Sequence, residues 1–568
     1  MATLDELKAA DQAPNWMTIE GFTTLSNGYL LPGETPRDMY LRISLASASR
    51  LNRPDLAEEF FLLFWKNWLC PATPVASNLG TTRALPISCF GLTVPDSVSG
   101  IMSSMHEIAM LTKNGGGVGV YWGEVRGRSA TISGGGVSEG VVPFMKIQDS
   151  TTVGVSQAGV RRGATSAYLE IEHPDFEEFL EVRRPQGDPN RQCLNIHHAV
   201  SIGDDFMQKV EDGDPEARRK WSRLIQTRFE TGEPYIFFRD TVDRGRPDTY
   251  KNLGLDVKTS QLCSEIALHT DMDHTFVCCL SSMNATKFDE WKDTNAVQLA
   301  VWFLDGVMEE FIARSENIVG FERARRFAIK SRALGLGVLG FHTLLQSKGF
   351  SFDSTEAYIL NNLLFKTLRE HAEVATRELA EVYGEPEWCT GYGRRNTHLL
   401  AIAPTTSNSL ISGNVSRGIE PWAANAYSEK SAKGTFFQKN RILEALLEER
   451  GKNTTDVWTS IVTDGGSVQH LGFLSDEEKA VFLTAREINQ YALVRLASAR
   501  QRWLDQTQSV NLFFPANADP KYVNGVHLEA YRSGMMTLYY LRTGSVLRGD
   551  SGSRAYTRSS AECTMCEG

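Results

Sequence analysis

Residues 260–268 read SQLCSEIAL. A thiol, Cys263, stands between an amide, Gln261, and a carboxylate, Glu265, with Leu262, Ile266 and Leu268 around them. Side chains alternate along an extended segment, so positions 261, 263 and 265 would share one face. A thiol, a hydrogen-bonding amide and a potential base on one face could hold a substrate from one side. A free cysteine also packs well as a small buried hydrophobe, and these nine residues alone leave both readings open.

The surrounding chain excludes several classes of function. Of its 568 residues, 42% are apolar and 23% charged, which favours a compact body with a sizeable core over extended disorder. No Pro/Gly/Ser-rich linker divides it, which favours one large catalytic body. With 59 basic against 69 acidic residues the net charge is −10, which repels polynucleotide phosphate and anionic membrane; neither nucleic acid nor membrane is an expected partner. The opening MATLDELKAADQAPNW lacks a basic segment followed by an apolar one, and FFLLFW (60–65) is too short to span a bilayer, so a cytoplasmic location is expected. Nine scattered cysteines do not form a secreted disulfide framework. The pair Cys563 and Cys566, in CTMC, is the exception: it lies in a polar stretch where core packing does not account for it.

Along the chain, residues 1–70 read as a helical cap, because TPRDMYLRISLASASRL (35–51) and PDLAEEFFLLFWKNWLC (54–70) carry apolar residues at 3 and 4 spacing after Pro and acidic start signals. The stretches NGGGVGVYWGEVRGRSATISGGG (114–136) and SQAGVRRGATSAYLEI (156–171) are short β-like runs broken by glycine, and loop-rich. From 176 to 400, amphipathic segments alternate with apolar runs such as RQCLNIHHAVSI (191–202) and TFVCCLSSMN (275–284), which suggests α/β layers. ALGLGVLGFHTLLQ (333–346) reads as a tightly packed helix. The last stretch, LRGDSGSRAYTRSSAECTMCEG (547–568), reads as a flexible tail.

Further constellations carry possible chemistry. Cys89 in LPISCFGL and Cys278 in FVCCLSSMN sit in apolar strand-like runs; each alone reads as core, and only a shared pocket would make them a pair. PTTSNS (404–409) supplies Thr405, Thr406, Ser407 and Asn408, with Ser409 and several backbone N–H groups, equipment for an anion cradle if a helix begins there and for a plain N-cap otherwise. NGGGVG (114–119) allows close backbone approach to a ligand but is a weak dinucleotide signal. GVRRGA (159–164) fits either an anion-reading loop or a solvated turn. Tyr539 and Tyr540 are adjacent on an apolar run, and in a strand they would face opposite ways, as core residues.

In register along the chain, GYLLPGETP, TPVASNLGTTRALPISCF, NGGGVGVYWGEVRGR, GVVPFMKIQDST, SQAGVRRGA, QLCSEIAL, CCLSSMN, LGLGVLGFHTLL, PTTSNSLISGNVSRGIEP, LDQTQSVNLFF, TLYYLRT and the terminal CTMC resemble the large, catalytic subunit of class I ribonucleotide reductases, from about residue 30 onwards. The resemblance implies a ten-stranded α/β barrel over 71–547, with Cys263 at the tip of a central finger loop, a helical domain over 1–70 with no ATP-cone before it, and a redox tail over 548–568.

It further implies that Cys263 becomes a thiyl radical that abstracts the 3′-hydrogen of a ribonucleoside diphosphate, while Glu265 takes the 3′-hydroxyl proton and Gln261 holds the ribose oxygens. The family pattern has Asn at that position, and the extra methylene moves the amide by about 1.5 Å. Cys89 and Cys278 would deliver two electrons. Thr73, Ser88 and Gly117 would hold substrate, and Thr405, Thr406, Ser407 and Asn408 its diphosphate. Asp96, Arg126, Gln157 and Arg161 would read a dNTP or ATP effector. Tyr539 and Tyr540 would carry the radical in from a radical-generating small subunit, which would house the metal; no metal-ligand cluster is expected in this chain. A thioredoxin- or glutaredoxin-like protein would re-reduce Cys563 and Cys566, and a homodimer is expected. Three rival readings remain: an adenosylcobalamin-dependent reductase, which needs no tyrosine relay, a non-catalytic nucleotide sensor, and a zinc module using the terminal C-x-x-C.

Overall fold

The computed structural model describes residues 2–155, 163–431 and 434–543. Near the start, helix α1 (Pro36–Arg50) is begun by a capping box between Thr35 and Asp38 with Pro36 in the first turn. Helix α2 is Leu56–Trp65. Their apolar stripes, Met39, Tyr40 and Ile43 on one and Phe60, Leu63 and Phe64 on the other, are buried. Both pack on helix α3 (Ala296–Arg314), where Phe303 meets Phe60 and Phe64 edge-on. A Cβ at Gly306 would come within 2.2 Å of the Ser47 hydroxyl. The helical layer therefore shares one continuous core with the central sheet.

That sheet is built from β1 (Leu69–Pro71), β2 (Cys89–Thr93), β3 (Gly117–Tyr121), β4 (Ala164–Glu170), β5 (His197–Ile202), β6 (Tyr235–Phe238), β7 (Phe276–Asn284) and β8 (Leu334–Leu339). Strands β2 to β6 pair in parallel, in chain order. Strand β7 runs antiparallel to β2 and parallel to β8, and β1 pairs antiparallel with residues 281–283 of β7, beyond its pairing with β2. Three further strands are β9 (Leu512–Phe514), β10 (Thr537–Leu538) and β11 (Leu541–Thr543). β10 pairs antiparallel with β6, and β9 parallel with β11.

Short bridges close this sheet into a barrel. Leu336 of β8 pairs with Leu400, and Ile402 pairs with Gln508, both in parallel. The Tyr539 N–H then donates to the Val510 carbonyl, and the Leu512 N–H to that of Tyr540. Strands β2 to β8, β10 and the segments 399–402 and 506–510 thus form a ring of ten. Its two parallel halves meet antiparallel at β7–β2 and at β6–β10. Nearly every strand residue is buried on both faces, as parallel sheets require.

One expectation fails here. Residues 334–339 form strand β8, and only 341–347 are helical, after Gly340 in the left-handed region. The glycines of this run are spaced by two because β8 is crowded on both sides. A Cβ at Gly337 would meet the Ala401 carbonyl at 2.4 Å, and one at Gly335 the Leu280 side chain at 2.4 Å.

Candidate active site in the barrel

Residues 260–267 form a hairpin finger inside the ring. Ser260 pairs with Ala267, and the Gln261 N–H donates to the Ile266 carbonyl at 3.1 Å. The turn is completed by Ser264 at φ +73°. The segment is therefore not extended at its tip, which corrects the common-face expectation. The Gln261 side chain folds back so that its Oε1 accepts from the Cys263 N–H at 3.0 Å. Its Nε2 end reaches towards Cys89 Sγ, 3.9 Å away, and the amide also hydrogen-bonds Glu265.

Both barrel walls hold the finger by its carbonyls. Tyr168 of β4 donates to the Gln261 carbonyl (2.8 Å), Thr507 donates through Oγ1 to that of Ser264 (2.6 Å) and through its N–H to that of Glu265 (3.1 Å), and Ser509 reaches that of Cys263. Gly119 of β3 leaves room for the crossing, since a Cβ there would sit 1.9 Å from the Ser260 carbonyl. Glu265 is buried, and burial raises its carboxyl above the ordinary range, against hydrogen bonds from Ser509 and Gln261. Ser509 Oγ lies 2.6 Å from Glu265 Oε2 and also contacts the Cys263 carbonyl. One hydroxyl hydrogen serves one acceptor, so a protonated Glu265 can complete this network by donating to Ser509.

Cys89 and Cys278, 189 positions apart in sequence, are directly opposite each other across the antiparallel β2–β7 pair. Opposed residues on such strands lie about 4.5–5.5 Å apart at Cα, within the span a disulfide bridges. Neither is in a disulfide. Ser88 Oγ lies 3.3 Å from Cys89 Sγ, and Gln506 donates towards Cys278 Sγ at 3.7 Å. Burial, and after it the neighbouring Cys89, pushes the Cys278 thiol well up, so it stays protonated. The adjacent Cys279 points the other way, donating to the Leu304 carbonyl of α3. The period of two sorts these neighbours onto opposite faces.

Tyr539 and Tyr540 lie between β10 and β11, where the regular strand is interrupted although the Tyr539 N–H and the Tyr540 carbonyl still bond to Val510 and Leu512. They do not face apart as an unbroken strand would require: their ring centroids are 4.3 Å apart, tilted by 55°. The Tyr539 phenol is hydrogen-bonded to the Cys263 thiol, and burial, then Cys263, raises its pKa well above the usual value. An unbroken contact path thus runs from Cys263 through Tyr539 to Tyr540.

A helix, α4 (Thr406–Ile411), does begin in the hydroxyl-rich loop. Thr405, at φ +53°, precedes it; its Oγ1 accepts from the Gly418 N–H (2.7 Å) and lies 3.0 Å from Ser409 Oγ. Ser407 and Asn408 are buried in the first turn, and Asn408 Oδ1 has no hydrogen-bond partner among the described residues. Thr73, just beyond β1, is buried with its Oγ1 2.9 Å from the Tyr29 hydroxyl. The Gly117 N–H donates to the Ser88 carbonyl (2.6 Å), beside Leu262 of the finger. On the surface, Arg126 Nε and Asp96 Oδ2 pair at 2.7 Å. Gln157, Arg161, Cys563 and Cys566 lie outside the described residues.

Comparison with known proteins decides the family. Residues 16–84 match the ribonucleotide reductase all-alpha domain, and 87–216, 214–389 and 386–541 match the ribonucleotide reductase barrel domain. The chain belongs to the ribonucleotide reductase large-subunit family. A Frog virus 3 protein putatively named as the large subunit of ribonucleoside-diphosphate reductase is 40% identical, over 92% of this chain and 95% of that protein. The corresponding subunit of Invertebrate iridescent virus 3 is 34% identical over the full length of both. Among solved structures, the alpha subunit of the Actinobacillus ureae class Id ribonucleotide reductase superposes with a TM-score of 0.87 and 40% identity, covering 94% of this chain and 99% of that one.

Sequence reasoning about this reductase subunit missed Ser509, Thr507, Tyr235, His197 and Glu233, all of which line or brace the site. Tyr235 and His197 lie in apolar strand-like runs and carry no local signal. It also expected no metal-ligand cluster, yet His269, Asp271 and His274 bring ligand atoms within 4.8 Å of one another. Asp271 is already in hydrogen-bond reach of both imidazoles (3.1 and 2.9 Å) and of two backbone N–H groups, so its lone pairs are engaged without an ion. No helix among the described residues is long and apolar enough to cross a membrane.

Proposed function

We propose that this chain is the catalytic large subunit of a class I ribonucleotide reductase that converts ribonucleoside diphosphates to 2′-deoxyribonucleoside diphosphates. The observation that carries this reading is the convergence of Cys263, the opposed Cys89–Cys278 pair and the Tyr539–Tyr540 ring contact in one barrel interior. An adenosylcobalamin-dependent enzyme needs no such aromatic path.

In the proposed cycle, Tyr540 loses an electron to the oxidised centre of a small subunit, and Tyr539 passes the vacancy on by taking the hydrogen of Cys263. The Cys263 thiyl removes the 3′-hydrogen of the ribose. Glu265 accepts the 3′-hydroxyl proton, its raised pKa making it the stronger base. The Gln261 amide holds the neighbouring oxygens. As the 2′-hydroxyl leaves as water, Cys89 and Cys278 supply two electrons and close to a disulfide, after which Cys263 returns the 3′-hydrogen, becomes a thiyl again and is re-reduced by the hydrogen of Tyr539, so that the radical returns through the same tyrosines to the small subunit.

Thr73, Ser88 and Gly117 are proposed to hold the nucleoside, and Thr405, Thr406, Ser407 and Asn408 the diphosphate, where the first turn of α4 presents free N–H groups. Asp96 and Arg126, with Gln157 and Arg161, are assigned to a dNTP or ATP effector that selects the base. A thioredoxin- or glutaredoxin-like reductant acting on Cys563 and Cys566, a homodimeric state and a cytoplasmic location complete the proposal. The deciding experiment measures deoxyribonucleoside diphosphate formation from each ribonucleoside diphosphate, with and without a radical-generating small subunit. Formation only with both subunits supports the reading; turnover with adenosylcobalamin alone overturns it.

A further inference from the structure

The proton of Tyr540 needs a destination. Tyr539 exchanges its hydrogen with Cys263, to which it is bonded, but Tyr540 points elsewhere, and its hydroxyl lies 3.3 Å from His197 Nδ1. That nitrogen is in turn 2.7 Å from Glu233 Oε1. All three side chains are buried. The second carboxylate oxygen, Oε2, is 3.4 Å from Arg183 Nε and 3.3 Å from both the N–H and Nδ1 of His198. The Arg542 guanidinium lies 4.1 Å from the centroid of the Tyr540 ring, and Tyr235 packs against the same ring at 5.0 Å. A guanidinium against the ring disfavours a phenol cation radical, since it repels the positive charge left by an electron. Electron and proton must therefore leave Tyr540 together.

We infer that His197 and Glu233 form the proton acceptor of Tyr540 during radical transfer. The inference rests on the assignment of Tyr540 to that path. As Tyr540 gives one electron to the oxidised radical centre of the small subunit, its O–H bond breaks. The phenolic proton takes the place of the hydrogen on His197 Nδ1, and that hydrogen shifts to Glu233. The imidazole ends neutral, the carboxylate becomes a carboxylic acid, and Tyr540 becomes a neutral phenoxyl radical; the reverse steps restore all three. Glu233 suits the task as a carboxylate. Burial opposes its ionisation, but Arg183 and the two imidazoles outweigh burial and hold its pKa well below the usual value. Burial, then Glu233, raises the phenol of Tyr540, so the proton stays on until the electron leaves.

The test uses the full chain with its small subunit. His197→Phe and Glu233→Gln should each lower kcat at least about tenfold, with the KM for diphosphate substrate within about twofold of the parent. Placing 2,3,5-trifluorotyrosine at position 540, whose phenol ionises far more readily, should restore turnover to either variant as the pH rises through that phenol's pKa, because a phenolate has no proton to lose. A merely structural role predicts no such rescue. Full turnover by both variants, or loss without rescue by the fluorinated residue, overturns the inference; if one variant does not fold, the other decides. Activity of Tyr540→Phe would instead overturn the underlying assignment of Tyr540.

Discussion

Gly119 and Ser260 define how the finger enters the barrel: a Cβ on the glycine would sit 1.9 Å from the serine carbonyl oxygen and 2.8 Å from the Gln261 Cα. Both near atoms are backbone, so neither can rotate away. Gly119→Ala should push the finger off its seat, destabilising the fold by about 1–3 kcal/mol. Turnover should fall more than tenfold as Cys263 leaves Tyr539. Denaturant unfolding together with steady-state assays checks this, and unaltered activity would show that the finger has slack.

Cys263→Ser should bind substrate normally and abolish reduction, because a hydroxyl O–H bond is too strong to serve as the hydrogen relay. Equilibrium binding of a ribonucleoside diphosphate, measured beside product formation, separates the two effects. Turnover above background in the serine variant would refute the role given to the finger thiol.

Tyr539→Phe and Tyr540→Phe should each remove activity while nucleotide binding persists, since phenylalanine has no phenolic hydrogen. The 4.3 Å ring contact is kept by the substitution, so packing loss cannot account for the result. Normal turnover in either variant would move the radical path elsewhere.

The acid limb of the rate profile reports Glu265. A base works only when deprotonated, and burial raises this carboxyl above the ordinary range. Activity should therefore fall as pH drops through a midpoint higher than that of a solvated glutamate. Glu265→Gln should lower kcat by about 10²–10⁴ and flatten that limb. A limb that survives in the glutamine variant belongs to another group.

Cys563→Ser or Cys566→Ser should support about one turnover per pre-reduced site and then stall with a protein reductant, while a small dithiol restores part of the rate. From 548 to 563 the chain can span at most ~50 Å extended and roughly 20 Å as a coil, enough to bridge a barrel mouth and its interior. Thiolate attack and resolution within a C-x-x-C pair provide the exchange chemistry. Sustained multiple turnover with the protein reductant in both variants would show that the tail is not the shuttle.

Legibility differed by element. The helices 36–50 and 56–65 were readable from apolar spacing and start signals, which act within a turn or two of chain. Residues 333–346 were not, since an apolar run studded with glycine has no period that separates a buried strand from a buried helix. Only the neighbouring Ala401 carbonyl and Leu280 side chain explain why Gly337 and Gly335 stand there.

By itself, the sequence determined which chemistry is available: a thiol between an amide and a carboxylate at 261–265, two more thiols in apolar runs, two adjacent tyrosines and a hydroxyl-rich turn, in an order that resembles one family. The tertiary structure decided which of these meet. It set Cys89 opposite Cys278, turned the finger at Ser264 so that Gln261 caps the loop, and packed the Tyr539 ring against that of Tyr540 where the strand is interrupted. It also recruited Ser509, His197 and Glu233, which no local pattern marks. The physical reason is range: propensity and periodicity act over a few residues, whereas Cys89–Cys278, Ser509–Glu265, Tyr540–His197 and His197–Glu233 join positions dozens to hundreds of residues apart and meet only once the ring of strands has closed.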